Sequence, residues 1–184
     1  MKISRDDVIR NRKQILVSAA RLFRARGFDD VSVAQIMSAS GLTHGAFYGY
    51  FNSKDDLIAQ MLANVLLPPP DGASDVPDGD IHFYSSAYLS GKHRDDPGNG
   101  CPYAALGSEI TRAPKAIRKV MTRAVRHRID RLSTTASGRT ERSRRRSAIA
   151  GWSAMVGALL LARIVDDPRL SNEILAETLA SLKI

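Results

Sequence analysis

Short bursts of apolar residues at helical spacing, opened by serine or threonine and closed by glycine, fill the first third of this chain. They confine it to small helices packed at angles. From Val8 to Arg26, Ile15, Leu16, Ala19, Leu22 and Phe23 recur at three- and four-residue steps and so share one helix face. Gly27 ends that helix, since glycine takes a left-handed conformation without a Cβ clash. Ser32 is placed to cap a second helix with Val33, Ile36 and Met37 inward, stopping at Ser40-Gly41. Thr43 is the expected cap of a third, running to about Tyr50 with Leu42, Phe47 and Phe51 inward. Ser53 would cap a fourth that buries Leu57, Ile58, Met61, Leu62 and Val65.

The segment LLPPPDGASDVPDGD breaks helix and reads as a boundary, giving a module over residues 1–66 and a second over 67–184. Beyond it the pattern predicts helices over 81–89, 102–111, 116–132, 147–165 and 172–182. HRDDPGNG is read as a loop and STTASGRTERSR as a polar, mobile stretch. The fold class is therefore all-α, an N-terminal helix-turn-helix module followed by a helical one.

Net charge separates the parts: +3 over residues 1–66, −5 over 67–111, +11 over 112–146 and −1 over 147–184. A basic balance favours a polyanionic partner, although Arg142, Arg144, Arg145 and Arg146 read more simply as a solvated face. The one cysteine, Cys101, rules out an internal disulfide and Cys-rich zinc spacing. It follows a Gly-Asn-Gly turn and stands near a helix N-terminus, where a thiolate is favoured. The simpler reading is a small residue beside a loop. No Gly-rich phosphate loop, HExxH or nucleophile elbow is present, so neither an enzyme, a cofactor nor a metal is expected. The N-terminus lacks a secretory apolar region, and no apolar run is expected to reach the roughly 20 residues of a spanning helix. The expectation is a cytoplasmic protein without a membrane partner.

Two short helices joined by Ala39-Ser40-Gly41-Leu42 form a helix-turn-helix, which places its second helix in a major groove. Ile15-(x)3-Ala19-(x)3-Phe23-(x)3-Gly27-Phe28 followed by SVAQIMSASGLTHGAFYGYFNSKDDL resembles the N-terminal signature of the tetracycline-repressor (TetR) family over about Arg10 to Leu62. Thr43 and His44 open the reading helix, where side chains reach base edges and the helix end favours phosphate. The resemblance further implies DNA contacts from Tyr48, Tyr50 and the phosphate-binding Lys54, with Ser32 and Gln35 as candidates. Gly45 fits the family's preference for a small residue, whereas Gly49 departs from it and puts base readout there in doubt. Each glycine costs roughly 1 kcal/mol against alanine in a helix, so this helix is weak alone.

YLSGKHRDDPGNGCPYAALGSEITR and MVGALLLARIVDDPRLSNEIL resemble the regulatory half of one TetR subgroup. That resemblance implies a homodimer through the last two helices, to which Ala150, Gly151, Ala154, Gly157 and Ala158 would give a small-residue stripe and Leu161, Ile174 and Leu175 apolar area. It also implies a pocket for an unidentified small molecule, with Tyr88, Cys101, Tyr103, Met121, Trp152 and Met155 as candidate walls and His82 and His127 as polar anchors. The partners expected are double-stranded operator DNA, a second copy and this effector. The function is a repressor released by ligand, with two alternatives kept open: an activator on the same fold, or a nonspecific DNA-compacting protein.

Overall fold

The computed structural model describes residues 4–68 and 81–182, and these are helices joined by short turns, with no strand among the described residues. The helices are α1 (Arg5–Arg26), α2 (Val33–Ala39), α3 (Lys54–Leu66), α4 (Ile81–Tyr88), α5 (Gly91–Asp95), α6 (Pro102–Ile110), α7 (Lys115–Thr135), α8 (Glu141–Ile164) and α9 (Pro168–Ser181). Two 3₁₀ segments, His44–Gly49 and Pro97–Asn99, complete the set. The all-α expectation holds. Most of the Pro- and Gly-rich stretch lies outside the described residues.

Serine and threonine set the starts. Ser4, Ser53 and Thr140 each accept a bond from the backbone N–H three residues on, and Ser32 does so within a reciprocal capping box with Gln35. Gly27 takes φ 85° and ψ 171°, so the positive φ expected there is present, with ψ extended and not helical.

Three local readings are revised. HRDDPGNG is not a loop: Ser90 caps α5 and Asp96 caps the 3₁₀ turn at Pro97. STTASGRTERSR is mostly helical, because α7 continues to Thr135 and the Thr140–Ser143 capping box starts α8 at Glu141. In addition, α8 holds an 18-residue window apolar enough, by length and composition, to cross a membrane. Only 39% of that window is buried, and core helices pass the same test.

Two apolar cores form. The first joins Ile15, Ala19, Phe23, Ile36, Phe47, Phe51, Leu57 and Leu62 to Leu106, Ile110, Ile117, Val120 and Met121, so α6 and α7 enter the core of the N-terminal helices. Packing therefore crosses the expected 66/67 boundary. The second core gathers Tyr88, Leu89, Ala104, Met155, Ala158, Leu159, Ala162 and Leu175 from α4, α6, α8 and α9. The two are linked by α1, whose C-terminal half lies against Pro97–Asn99 and α6.

Candidate functional site

The expected third helix is a 3₁₀ segment, and Thr43 makes no side-chain capping bond to it. The reason is local: Gly45 and Gly49 weaken an α-helix, and one buried ring holds the segment. Phe47, 1% exposed, stacks on Phe51 at 5.7 Å and meets Tyr48 edge to face at 5.3 Å. Around it Thr43, His44, Gly45 and Gly49 are exposed, and Tyr48 is 71% exposed. A Cβ added at 45 or 49 would meet nothing within 4 Å. This face is open and polar, and its backbone can be approached closely.

The remaining residues of this set are engaged within the chain. The Tyr50 hydroxyl accepts a bond from the Asn11 amide at 3.1 Å, tying the end of the segment to α1. The Lys54 ammonium donates to the Phe28 carbonyl and lies 5.9 Å from the centre of the Phe23 ring, so it pins the start of α3 to the turn after α1. Ser32 and Gln35 are exposed, yet their side chains already bond each other's backbone in the capping box. Only Thr43, His44, Gly45 and Tyr48 stand together as an uncommitted face.

A second cluster joins the halves. The Glu109 carboxylate on α6 accepts from the Phe28 backbone N–H at 2.6 Å, and the Arg24 guanidinium donates to the Gly98 carbonyl at 2.8 Å. A recess of about 230 Å³ opens here between Phe28, Lys54, Ile58, Glu109, Arg112 and Ile117. These two bonds tie α6 and Pro97–Asn99 to the end of α1.

Behind that junction lie the residues expected to wall a ligand pocket. Tyr88 and Met155 are buried together, Cys101 packs against them, and Tyr103 meets Trp152 edge to face at 4.8 Å. Met121 does not join them: it is packed in the first core, because its face of α7 turns toward α3. His127 is half-buried on α7, and the side chain of His82 lies outside the described residues. Burial raises the Tyr84, Tyr88 and Tyr103 hydroxyls above the usual phenol range, which keeps them protonated.

His93 organises this cluster. Its Nδ1 lies 2.6 Å from the Tyr88 carbonyl and its Nε2 accepts from the Cys101 backbone N–H at 3.0 Å, so the ring must be neutral with its proton on Nδ1. Tyr88 packs on the ring at 4.6 Å, and Arg163 on α8 donates to the His93 and Arg94 carbonyls at 2.8 and 3.0 Å. Burial first, then the Arg163 charge, lowers the His93 pKa below 6.5, against the Tyr88 carbonyl and Asp96, which raise it. The unfolded chain then takes up a proton that the folded chain resists. His93 should leave stability unaffected above about pH 6.5 and reduce it as pH falls from there toward the folded-state pKa. Thermal melts from pH 8 to 5 should show this loss in the native chain and a shallower one in His93→Phe.

Sequence reading missed Glu109, His93, Arg24 and Arg163. Two had a signal: Glu109 is the one charge in Pro102–Ile110, and Arg163 the one charge between Ser147 and Val165.

On α8, Ile149, Leu160, Leu161 and Ile164 are 42%, 45%, 50% and 67% exposed and share a face with exposed Ala150 and Ala154 and half-buried Gly157. Ala158 and Leu175, expected at a dimer contact, point into the second core, and Ile174 packs against that core. A Cβ added at Gly151 would lie 3.4 Å from the Leu182 side chain of its own chain. A helix apolar on most sides supplies both its own core and an open face, and the sequence does not say which residue goes to which.

Comparison with known proteins agrees with this geometry. Residues 15–61 match the family described as bacterial regulatory proteins, tetR family. Over 56 residues the chain is 38% identical to the uncharacterized HTH-type transcriptional regulator YdgC of Bacillus subtilis, covering 30% of this chain and 29% of that protein. It is also 38% identical over 56 residues to the HTH-type transcriptional repressor Rv1474c of Mycobacterium tuberculosis, covering 30% of each. The matched segment therefore spans about 30% of the length of these relatives. The fold extends further: a TetR transcriptional regulator from Legionella pneumophila superposes with a TM-score of 0.73 at 20% identity, covering all of this chain and 98% of that one.

Proposed function

We propose that this chain, whose residues 15–61 match the family described as bacterial regulatory proteins, tetR family, is a member of that family and a sequence-specific DNA-binding repressor, dimeric in the cytoplasm and released from its operator by a small molecule. The observation that carries the reading is the uncommitted face of Thr43, His44, Gly45 and Tyr48, held outward on a segment anchored by one buried ring. His44 supplies base readout and Tyr48 a phosphate contact; Lys54 acts through the turn it pins, with two further N–H groups for phosphate. Residues 1–66 carry recognition and 67–184 sensing and dimerisation. The test is site selection from random duplex with native and His44→Ala protein. A defined motif whose preference relaxes at particular bases in the variant supports the reading, and a motif unchanged by the variant removes His44 from it.

The open face of α8 is the dimer contact in this reading. Two heads are needed because half-sites lie about 34–36 Å apart or a multiple of it. Leu161→Asp with Ile164→Asp, at positions already half or more exposed, should leave the helical fold intact. It should yield a monomer by sedimentation and weaken operator binding by about 100-fold or more, the factor that linking two sites confers. A dimer that survives both substitutions would move the contact elsewhere.

Release follows from the junction. A ligand that shifts α6 and Pro97–Asn99 moves the end of α1 through Glu109 and Arg24, and favours a head separation that the operator rejects, provided it binds that state more tightly. The +11 charge over residues 112–146 favours a second reading, nonspecific DNA compaction. That reading predicts a steep salt dependence with little sequence preference.

A further inference from the structure

Lysine and arginine crowd one exposed side of α7 without answering carboxylates. Lys115, Arg118, Lys119, Arg123 and Arg126 are all exposed, and their three- and four-residue steps set them along one side of the helix. The opposite side buries Ile117, Val120, Met121 and Ala124. Among the described residues, none of the five cationic side chains makes an ion pair or a hydrogen bond. Neighbouring cations are used: Arg128 lies 5.2 Å from the centre of the Tyr84 ring, and Arg145 of α8 takes Asp130, the one carboxylate of α7, at 2.6 Å.

This arrangement is unfavourable for the chain alone. Lys115 with Arg118 and with Lys119, Lys119 with Arg123, and Arg123 with Arg126 are like-charge neighbours at three- or four-residue spacing, each of which destabilises a helix. Lys115 and Arg118 also stand at the start of α7, where the helix dipole disfavours positive charge and no acidic residue of the first turn offsets them. A polyanion on this side would relieve both. The character of the face selects the partner further. Among the described residues, no large apolar side chain of α7 is exposed, so the face lacks the apolar core of a protein contact and the apolar half of a membrane-surface helix. It suits a partner that offers a regular row of charges. From Lys115 to Arg126 the helix rises about 16 Å, which runs beside about five phosphates of one DNA strand, spaced about 3.4 Å along the axis.

We infer that the cationic side of α7 is a second DNA-binding surface, which holds the phosphate backbone of another duplex segment, without reading its sequence, while the N-terminal helices are on their operator. This side turns away from α3, and α7 does not pack closely on α2 or on His44–Gly49. It is therefore a surface separate from the exposed face of Thr43, His44, Gly45 and Tyr48. The inference rests on the DNA-binding reading above and adds a function to it, the bridging of two DNA segments.

The test is a two-duplex capture with the full chain. The duplex obtained by site selection is immobilised and loaded with protein, and a labelled, unrelated duplex is then offered in solution. The native chain is expected to retain the labelled duplex, with an affinity that falls by about a hundredfold or more between about 50 and 200 mM salt. The variant Arg118→Glu, Lys119→Glu, Arg123→Glu should melt at the same or a higher temperature, because it removes like-charge neighbours. It should retain the labelled duplex at least about tenfold less well, with the salt slope lowered by about three. Its affinity for the selected duplex should stay within about threefold of native at about 0.15 M salt, where charges more than about 8 Å away are screened. The control is Arg139→Glu, Arg142→Glu, Arg146→Glu, at exposed positions beside the start of α8. It changes the net charge equally and should capture as the native chain does. No capture by the native chain, or equal loss in both variants, the mark of net charge alone, would overturn the inference. So would an α7 variant that loses the selected duplex in step with the labelled one, since the stripe would then touch the flanks of the operator itself. Failure of site selection would remove the sequence-specific reading and leave this test standing, with an unrelated duplex immobilised in place of the selected one.

Discussion

Phe47→Ala is expected to abolish specific DNA binding while leaving α7, α8 and α9 folded. Phe47 is the one buried residue of His44–Gly49, and it rests on Phe51 at 5.7 Å in the core that also holds Leu57 and Ile36. Removing a buried phenylalanine costs about 3–5 kcal/mol, part transfer and part cavity. Elsewhere a helix could absorb some of this through its own backbone bonds. Here two glycines in six residues and the missing Thr43 cap leave the segment little intrinsic stability, so the loss falls on the exposed face of Thr43, His44, Gly45 and Tyr48. At about 1.4 kcal/mol per factor of ten, the ordered population drops by roughly 100-fold or more. Hydrogen exchange at residues 43–51 should rise to near the unfolded rate, and Phe47→Leu should recover much of the binding. Operator affinity within tenfold of native in Phe47→Ala would show that the segment is held by something other than this ring.

Gly27→Ala should produce the second large effect, through backbone conformation and packing together. At φ 85° and ψ 171°, Gly27 occupies a region essentially closed to residues with a Cβ, at a cost of about 1–3 kcal/mol. An added Cβ would also lie 2.7 Å from the Glu109 Oε1 atom. That carboxylate ends a flexible side chain, yet it is held by the Phe28 N–H at 2.6 Å, so moving it leaves a backbone donor unpaired for about another 1–3 kcal/mol. The melting temperature should fall by roughly 5–15 °C for a chain of this size. Adding Glu109→Ala should relieve the steric share alone, so the two changes should be clearly non-additive. Simple additivity would mean that the carboxylate does not face this glycine.

The helices were legible because their signals are local. Ile15, Leu16, Ala19 and Phe23 share a face whatever surrounds them, and Ser32 and Ser53 cap where serine precedes an apolar period. What the sequence left open was set by partners distant along the chain. Tyr50 looks as available as Tyr48 until Asn11, 39 residues away, takes its hydroxyl. Lys54 looks like a free cation until the Phe28 carbonyl is beside it. Met121, Ala158 and Leu175 are ordinary apolar helix residues, and only the packing of α7 on α3 and of α8 on α9 decides what each one covers. Pro97–Gly100 reads as loop in composition, yet it supplies the carbonyl that holds Arg24.

The most direct test of the account is a titration of the purified chain against duplex DNA flanking its own gene, alongside an unrelated duplex of equal length at one fixed salt concentration. A preference of about a thousandfold or more for the flanking duplex, reduced but not abolished in His44→Ala, is the predicted result. Equal and salt-sensitive binding to both duplexes would contradict it.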